Sequence, residues 1–337
     1  MNDESCPSAS HVSAGIVNPI VGQRLALNWR FDELYPIARS VYQQVECEIG
    51  TSFFREITAY RVFASAGERA LWTRRRQRAE FSKYGGLPMS PGHIGKSVLD
   101  PYGGCPVYGA AVLDVALYLK AMQQWLRDRD SYREGWFPVT HATVKVAPIR
   151  WDNRDVRCII YCEGFFGHSN PLLERIPFQV AKGEILTVRV AASPQHLLLG
   201  KEIYALPIGN GLLRIGATYE RNERDSNPTN EGLETLKTRL GTILSTPFFT
   251  EYHEAGVRSM TRRRTPVLGR HPENAQVVVF NGLGSKGVLW APHFSRHLVD
   301  HLEAGIKLDP EVDILTHWKT THGYGSSGAP PNVRAGG

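Results

Sequence analysis

The sequence predicts an α/β fold, and three stretches carry that expectation. Residues 32–49 and 110–127 repeat apolar side chains at the three-to-four spacing that gives a helix one buried face. From Lys182 to Arg221 the text is rich in β-formers and is broken by Gly209-Asn210-Gly211, which reads as a hairpin turn. Val277-Val278-Val279-Phe280 then runs into Gly282-Leu283-Gly284-Ser285-Lys286-Gly287. A helix is expected after that loop, with Phe294, Leu298 and Leu302 on one stripe.

The chain of 337 residues is long enough for two subdomains and a sizeable core. Hydrophobic residues at 42% and charged residues at 21% match an ordinary soluble composition. A net charge of +6 permits an anionic partner without requiring one. The five cysteines contain no C-x-x-C pair, which suits a reducing compartment better than a disulfide scaffold. No stretch reaches the ~18 apolar residues of a membrane span, and the first thirty residues lack a signal-peptide pattern. The expected location is cytoplasmic, with no membrane partner.

Residues 1–24 are small and polar at first, with no strand expected. Ser10 and Ser13-Ala14-Gly15 form a small-residue turn that would let backbone N–H groups touch a ligand; a flexible N-terminal loop is the alternative. The helix over 32–49 turns Leu34, Ile37, Ala38, Val41 and Val45 inward. Residues 53–64 read as a strand. A second helix over 67–84 carries Arg74, Arg75, Arg76 and Arg78, a run read as a solvated face in preference to a nucleic-acid surface. Residues 85–109, rich in Gly and Pro, form a loop or lid. The helix over 110–127 follows, with Val112, Val115, Ala116, Leu119, Met122 and Leu126 at helical spacing.

Two strands, 140–148 and 156–162, flank a polar turn at 151–155, and the second leads into Cys162-Glu163-Gly164-Phe165-Phe166-Gly167. Cys158 and Cys162 are expected to pack on one face of that strand. A helix over 231–244 precedes Val257-Arg258-Ser259-Met260. After Thr320 a low-complexity tail is expected to be disordered.

Strand, glycine loop and helix together present bare backbone N–H groups and a positive dipole end to an electron-rich ligand. Residues 282–287 even spell G-x-G-x-x-G. The dinucleotide fingerprint, however, needs a full βαβ unit with an acid about 20 residues on. Here the helix runs out near Gly305, and Leu308-Asp309-Pro310 begins a tail. The loop closes a domain where a phosphate loop would open one, so a primary pyrophosphate site is set aside.

The terminal strand–glycine loop–helix, the Ser13-Ala14-Gly15 turn and the Cys162–Gly167 segment together resemble the D-amino-acid oxidase and glycine oxidase family of FAD-dependent oxidoreductases, over most of the chain. The resemblance implies an incomplete Rossmann-type FAD-binding domain plus a mixed-sheet substrate domain. The first would be discontinuous, from residues 1–50, 106–180 and 258–320; the second would comprise 51–105 and 181–257, with 321–337 as the tail. The family's opening strand, true G-x-G-x-x-G, helix and second strand have no counterpart here, with Asp3 or Glu4 as a remnant of the ribose-binding acid. FAD would then be held by Ser10, Ser13, Ala14, Gly15, Val144, Gly164, Gly282, Leu283, Gly284, Ser285, Lys286 and Gly287.

Within that resemblance Arg258 matches the family's carboxylate-binding arginine, whose planar fork suits a carboxylate. Tyr204 matches a tyrosine at the start of the substrate-side hairpin. An ordinary ion pair for Arg258 and core packing for Tyr204 stay open. Lys286 would place a cation beside the flavin's N1 and C2 carbonyl, or would simply face solvent.

The implied activity is FAD-dependent oxidation of an amine or amino acid by hydride transfer to flavin. Its partners would be a small-molecule substrate and oxygen or another electron acceptor. A flavoenzyme acting on a modified tRNA base side chain, and a truncated flavin-free scaffold, are the alternatives. His293, His297 and His301 fall at i, i+4, i+8, but no H-E-x-x-H or cysteine pair completes a metal site, so they read as a polar helix border. No nucleophile elbow and no P-loop is present.

Overall fold

A computed structural model describes residues 8–135, 137, 149–151, 154–192 and 196–318. Val144, the strand expected over 140–148 and the tail beyond residue 320 lie outside the described residues.

The chain enters through one helical turn, α1 (Ala9–Val12), and three short strands, β1 (Ile16–Val17), β2 (Ile20–Val21) and β3 (Ala26–Leu27). The expectation of a strandless start is corrected by β1, whose Ile16 and Val17 pair antiparallel with Val112 and Ala111. Next come α2 (Phe31–Ile49), β4 (Phe54–Val62), α3 (Ala66–Arg75), α4 (Ala79–Ser82), β5 (Gly104–Leu113) and α5 (Val115–Arg127). Helix α2 buries Phe31, Leu34, Ala38 and Tyr42, so Tyr42 takes the place expected of Val41.

Two further expectations are corrected here. The helix over 67–84 breaks after Arg75, and Arg76 turns its guanidinium onto Gly85 O at 3.0 Å. The helix over 110–127 begins only at Val115, where the Asp114 carboxylate accepts the Leu117 N–H at 3.0 Å. Ala110–Leu113 are the end of β5, paired to β4 and buried on both faces. A short continuous apolar run fits a buried strand as well as a helix, and cross-strand pairing decides it.

The chain continues through β6 (Ile149–Trp151), β7 (Arg154–Val156), β8 (Ile159–Tyr161), β9 (Phe178–Val190), β10 (Leu197–Gly200), β11 (Tyr204–Gly209), β12 (Leu212–Gly216) and β13 (Glu220–Arg221). Helix α6 (Asn230–Gly241) leads to β14 (Phe248–Thr261), β15 (Val267–His271), β16 (Asn274–Asn281), α7 (Gly287–Ala304) and α8 (Ile314–His317). The single strand expected over 156–162 is split, with Val156 closing a β6–β7 hairpin and β8 pairing instead with β16. Cys158 and Cys162 therefore flank β8, and Cys162 is exposed. The Gly209-Asn210-Gly211 turn is as expected, with β11 and β12 paired from Tyr204↔Gly216 onwards.

Among the described residues nine strands form one curled mixed sheet in the order β1-β5-β4-β10-β11-β12-β9-β13, with β14 also paired to β9. A smaller sheet, β15-β16-β8, contains the parallel pair Val277↔Ile159. One face of the large sheet buries Leu186, Val188, Leu213 and Ile215 against Leu236 and Leu240 of α6. On the other side Phe31 and Leu34 of α2 pack with Leu289, Phe294 and Leu298 of α7. The cavity described next lies on that second side.

Candidate active site

A cavity of ≈650 Å³ opens between the large sheet, the 9–23 segment and the start of α7. That volume falls within the range of about 300–1,000 Å³ usual for small-molecule sites.

The glycine loop forms one wall. Strand β16 ends at Asn281, and Gly282 and Gly284 then take φ of +77° and +55°, the left-handed region that favours glycine. The Gly284 N–H donates to Ser259 O at 2.9 Å, tying the loop to β14. Helix α7 starts with no side-chain cap, and Gly287 and Val288 line the cavity. Its open first-turn N–H groups carry the positive end of an 18-residue helix. Pro292 lies inside that helix and has no N–H to give Val288 O. The buried Tyr42 of α2 replaces it, its hydroxyl donating to Val288 O at 2.9 Å.

Ser10, Ser13, Ala14 and Gly15 line the opposite wall. Gly15 has φ +67°, and a Cβ there would overlap Leu113 O, so the turn is pressed directly onto β5. Arg214 anchors the same segment by donating from Nη2 to Val12 O at 2.7 Å.

The sheet supplies the floor, where Arg258 lies across β9. Its Nη2 reaches Lys182 O and Thr218 O at 3.4 and 3.3 Å, and its Nε reaches Ala181 O at 3.5 Å. The Tyr219 ring covers it at 5.4 Å. No carboxylate pairs with Arg258 among the described residues, so the ordinary ion-pair alternative is not what the structure shows. Burial pushes its pKa down, with Tyr204 and Tyr219 opposing. Tyr204 lines the same floor, and burial pushes its phenol up while Arg214 and Arg258 pull it down. Lys286, at the loop end, is partly buried, and burial together with Arg258 pushes its ammonium down to about 8. It too has no acid partner among the described residues.

Eleven of the residues expected from the sequence thus meet in one cavity: Ser10, Ser13, Ala14, Gly15, Tyr204, Arg258, Leu283, Gly284, Ser285, Lys286 and Gly287. Gly282 and Gly164 do not line it. Both sit behind the loop on Asn281, whose Nδ2 donates to Gly164 O at 2.9 Å while its Oδ1 accepts the Gly282 N–H at 2.7 Å. Gly164 opens a 3-10 turn at that place. Tyr42, Gly183, Gly216, Thr218, Tyr219 and Gly256 line the cavity without having been singled out. A signal for the glycines existed, since glycine inside a run of β-formers marks a close approach. The three helix histidines hold no metal cluster among the described residues; His297 Nε2 instead accepts the Asp309 N–H at 3.0 Å. Among the described residues no helix is long and apolar enough to cross a membrane.

A family profile described as FAD dependent oxidoreductase matches residues 2–301. The chain is 27% identical over 172 residues to a glycine oxidase of Pseudomonas aeruginosa, a stretch covering 49% of this chain and 47% of that protein. It is 30% identical over 136 residues to the tRNA 5-methylaminomethyl-2-thiouridine biosynthesis bifunctional protein MnmC of Caulobacter vibrioides, covering 39% of this chain and 22% of that protein. The chain thus spans about half or less of the length of these curated relatives. A solved glycine oxidase from Bacillus cereus superposes with a TM-score of 0.71 at 18% identity, covering 89% of this chain and 88% of the other. An iminodiacetate oxidase from Chelativorans sp. BNC1 gives 0.71 at 19% identity, with coverage of 92% and 90%.

Proposed function

The chain belongs to the family of FAD-dependent oxidoreductases, and on that premise we propose that it oxidises a small amine or amino acid bearing a carboxylate. The observation that carries this reading is the pair of cations, Arg258 and Lys286, which line one cavity without an acid partner among the described residues. A buried cation is costly unless an anion or a strong acceptor answers it.

The residues present fit the flavin end of FAD. The uncapped start of α7, the Gly284–Gly287 backbone and Lys286 offer N–H groups and positive charge to an electron-rich ring edge. The small-residue wall at Ser13-Ala14-Gly15 gives a second close approach for the cofactor backbone. When bound, FAD supplies the acceptor for the hydride that leaves the substrate, and the electrons pass on to oxygen or another acceptor.

The chain's own part is binding and orientation. Arg258 Nη1 makes no hydrogen bond among the described residues, so it is free to donate to a carboxylate oxygen. The Tyr219 ring covers the guanidinium and keeps it against the sheet. The Tyr204 hydroxyl stays protonated, because burial pushes its pKa up, and can donate beside it. Substrate held in this way lies between the sheet floor and the loop wall, which is the positioning that hydride transfer requires.

Similarity to MnmC proteins supports a second reading, in which the aminomethyl side chain of a modified tRNA base enters the same cavity. The test covers both readings. Purified protein is titrated with FAD and assayed with glycine, N-methylglycine, iminodiacetate, D-alanine, methylamine and unmodified and modified tRNA, reading peroxide and dye reduction. Turnover of carboxylate-bearing amines and none of methylamine is expected. Equal turnover of methylamine, or turnover of tRNA alone, overturns the first reading. A protein that takes up no FAD overturns both.

A further inference from the structure

Three glycines lie on the cavity floor: Gly183 and Gly256 inside the long strands β9 and β14, and Gly216 at the end of β12. Glycine weakens the interior of a strand, and it is found there where something approaches the backbone closely. Neither Gly183 nor Gly216 has a positive φ, so left-handed backbone is not what calls for glycine at either position. What matters is the missing side chain. A Cβ on Gly183 would overlap Arg258 Nη2 and sit 2.9 Å from its Cζ. A Cβ on Gly216 would sit 2.5 Å from the Tyr204 hydroxyl oxygen and 2.8 Å from its Cζ.

Each glycine is therefore the bed on which one polar side chain lies flat. The hydrogen bonds describe the same posture, since Arg258 Nη2 reaches Lys182 O on its own side of Gly183 and Thr218 O across it, at 3.4 and 3.3 Å. The strand beneath is held at Gly183 by its pairing to Gly256 of β14, and β12 and β13 pair with β9 on either side of residues 183–184. A methyl group added at Gly183 would meet the far end of a flexible side chain, so the guanidinium would rise into the cavity and the sheet would stay in place.

We infer that Gly183 and Gly216 are positioning residues that set the height of the Arg258 guanidinium and the Tyr204 hydroxyl above the sheet. They thereby fix the depth at which a carboxylate seats. The inference rests on the carboxylate role proposed above for Arg258.

The test is a double-mutant cycle read in two ways: steady-state kinetics with the best amino-acid substrate, and calorimetric binding of acetate, which needs no turnover. Gly183→Ala should raise both KM and the acetate Kd about tenfold, with kcat and FAD content close to the parent's. In an Arg258→Lys background the same change should cost less than about twofold, because lysine has no planar fork to displace. Parental KM and Kd in Gly183→Ala, an equal penalty in both backgrounds, or a parent that binds no acetate would each overturn the inference. Should Gly183→Ala fail to fold, Gly216→Ala is read in the same way against Tyr204→Leu, which removes both Tyr204 atoms that a Cβ on Gly216 would meet. If the parent oxidises no carboxylate-bearing amine, the functional reading fails, and the acetate titration still decides the positioning claim.

Discussion

Lys286 should cost the cofactor-free protein stability, and the cost should vanish with rising pH. Burial and the neighbouring Arg258 push its ammonium from 10.5 to about 8. At about 1.4 kcal/mol per tenfold in proton affinity, that corresponds to a ceiling of about 3 kcal/mol at neutral pH. The side chain is only partly buried, so solvent screening should leave about half of it, on the order of 1.5 kcal/mol. Below pH 8 both folded and unfolded chains hold the proton, and the fold bears the whole cost. Between pH 8 and 10.5 the folded chain has released the proton and the unfolded chain still binds it, so raising the pH favours the fold. Lys286→Met keeps the length of the stem and removes the charge. In flavin-free protein it should be more stable than the parent below pH 8, with the advantage fading towards pH 10.5. Urea unfolding of both proteins across that range, followed by circular dichroism, measures the difference and cancels the other titrating groups. A variant no more stable than the parent at pH 7, or an advantage independent of pH, would refute the account of Lys286 as an unanswered cation.

Three other outcomes follow from the same geometry. Arg258→Lys keeps the charge and loses the fork, so KM for the best amino-acid substrate should rise about tenfold or more at unchanged FAD content; an unchanged KM would sink the carboxylate role. Gly284→Val adds about 1 kcal/mol of left-handed strain, and its Cβ would press on Met260 Cγ at 2.9 Å. FAD retention should drop while the circular dichroism spectrum persists, and equal occupancy would count against the loop. Tyr42→Phe strands Val288 O beside Pro292 and should cost about 1–2 kcal/mol in denaturant unfolding; no loss would show that the carbonyl finds another donor.

Local patterns made much of this fold legible. Val277–Val279 before a glycine loop, and Gly209-Asn210-Gly211 between two β-forming runs, need only neighbours in sequence to be read. Ala110–Leu113 could not be read that way, because an apolar run alone does not separate a buried strand from a helix; its partners in β4, from Ile57↔Ala110 to Phe54↔Leu113, lie far away in sequence. At the site, the loop, Arg258 and Tyr204 were legible through resemblance and meet in one cavity. Gly183 and Gly216 were not, because their significance lies in which side chain crosses them from another strand. Gly164 carried the right pattern and sits one layer back, bound to Asn281.

The placement of Arg258 depends on a feature that residue periodicity hides. Phe248 and Thr250 pair with Val190 and Val188, whose side chains face α6, and Phe248 packs in that cluster. Arg258 is ten residues further on, an even number, so a regular strand would aim it at the same face. The register slips between Thr250 and Tyr252, leaving Glu251 unpaired, and from there the even-numbered residues face the other way. Tyr252 then lies opposite Thr187, Gly256 opposite Gly183 and Arg258 opposite Ala181. Without that bulge Arg258 would fall opposite Val180, on the α6 side, and the cavity would lose its cation. Beyond Arg258, Ser259 O accepts the Gly284 N–H at 2.9 Å and Met260 bridges to Leu283. One bulged strand therefore turns Arg258 towards the cavity and docks the glycine loop two residues later. The separation between Arg258 and the glycine loop is held by paired backbone, not by side-chain contacts that a single substitution could loosen.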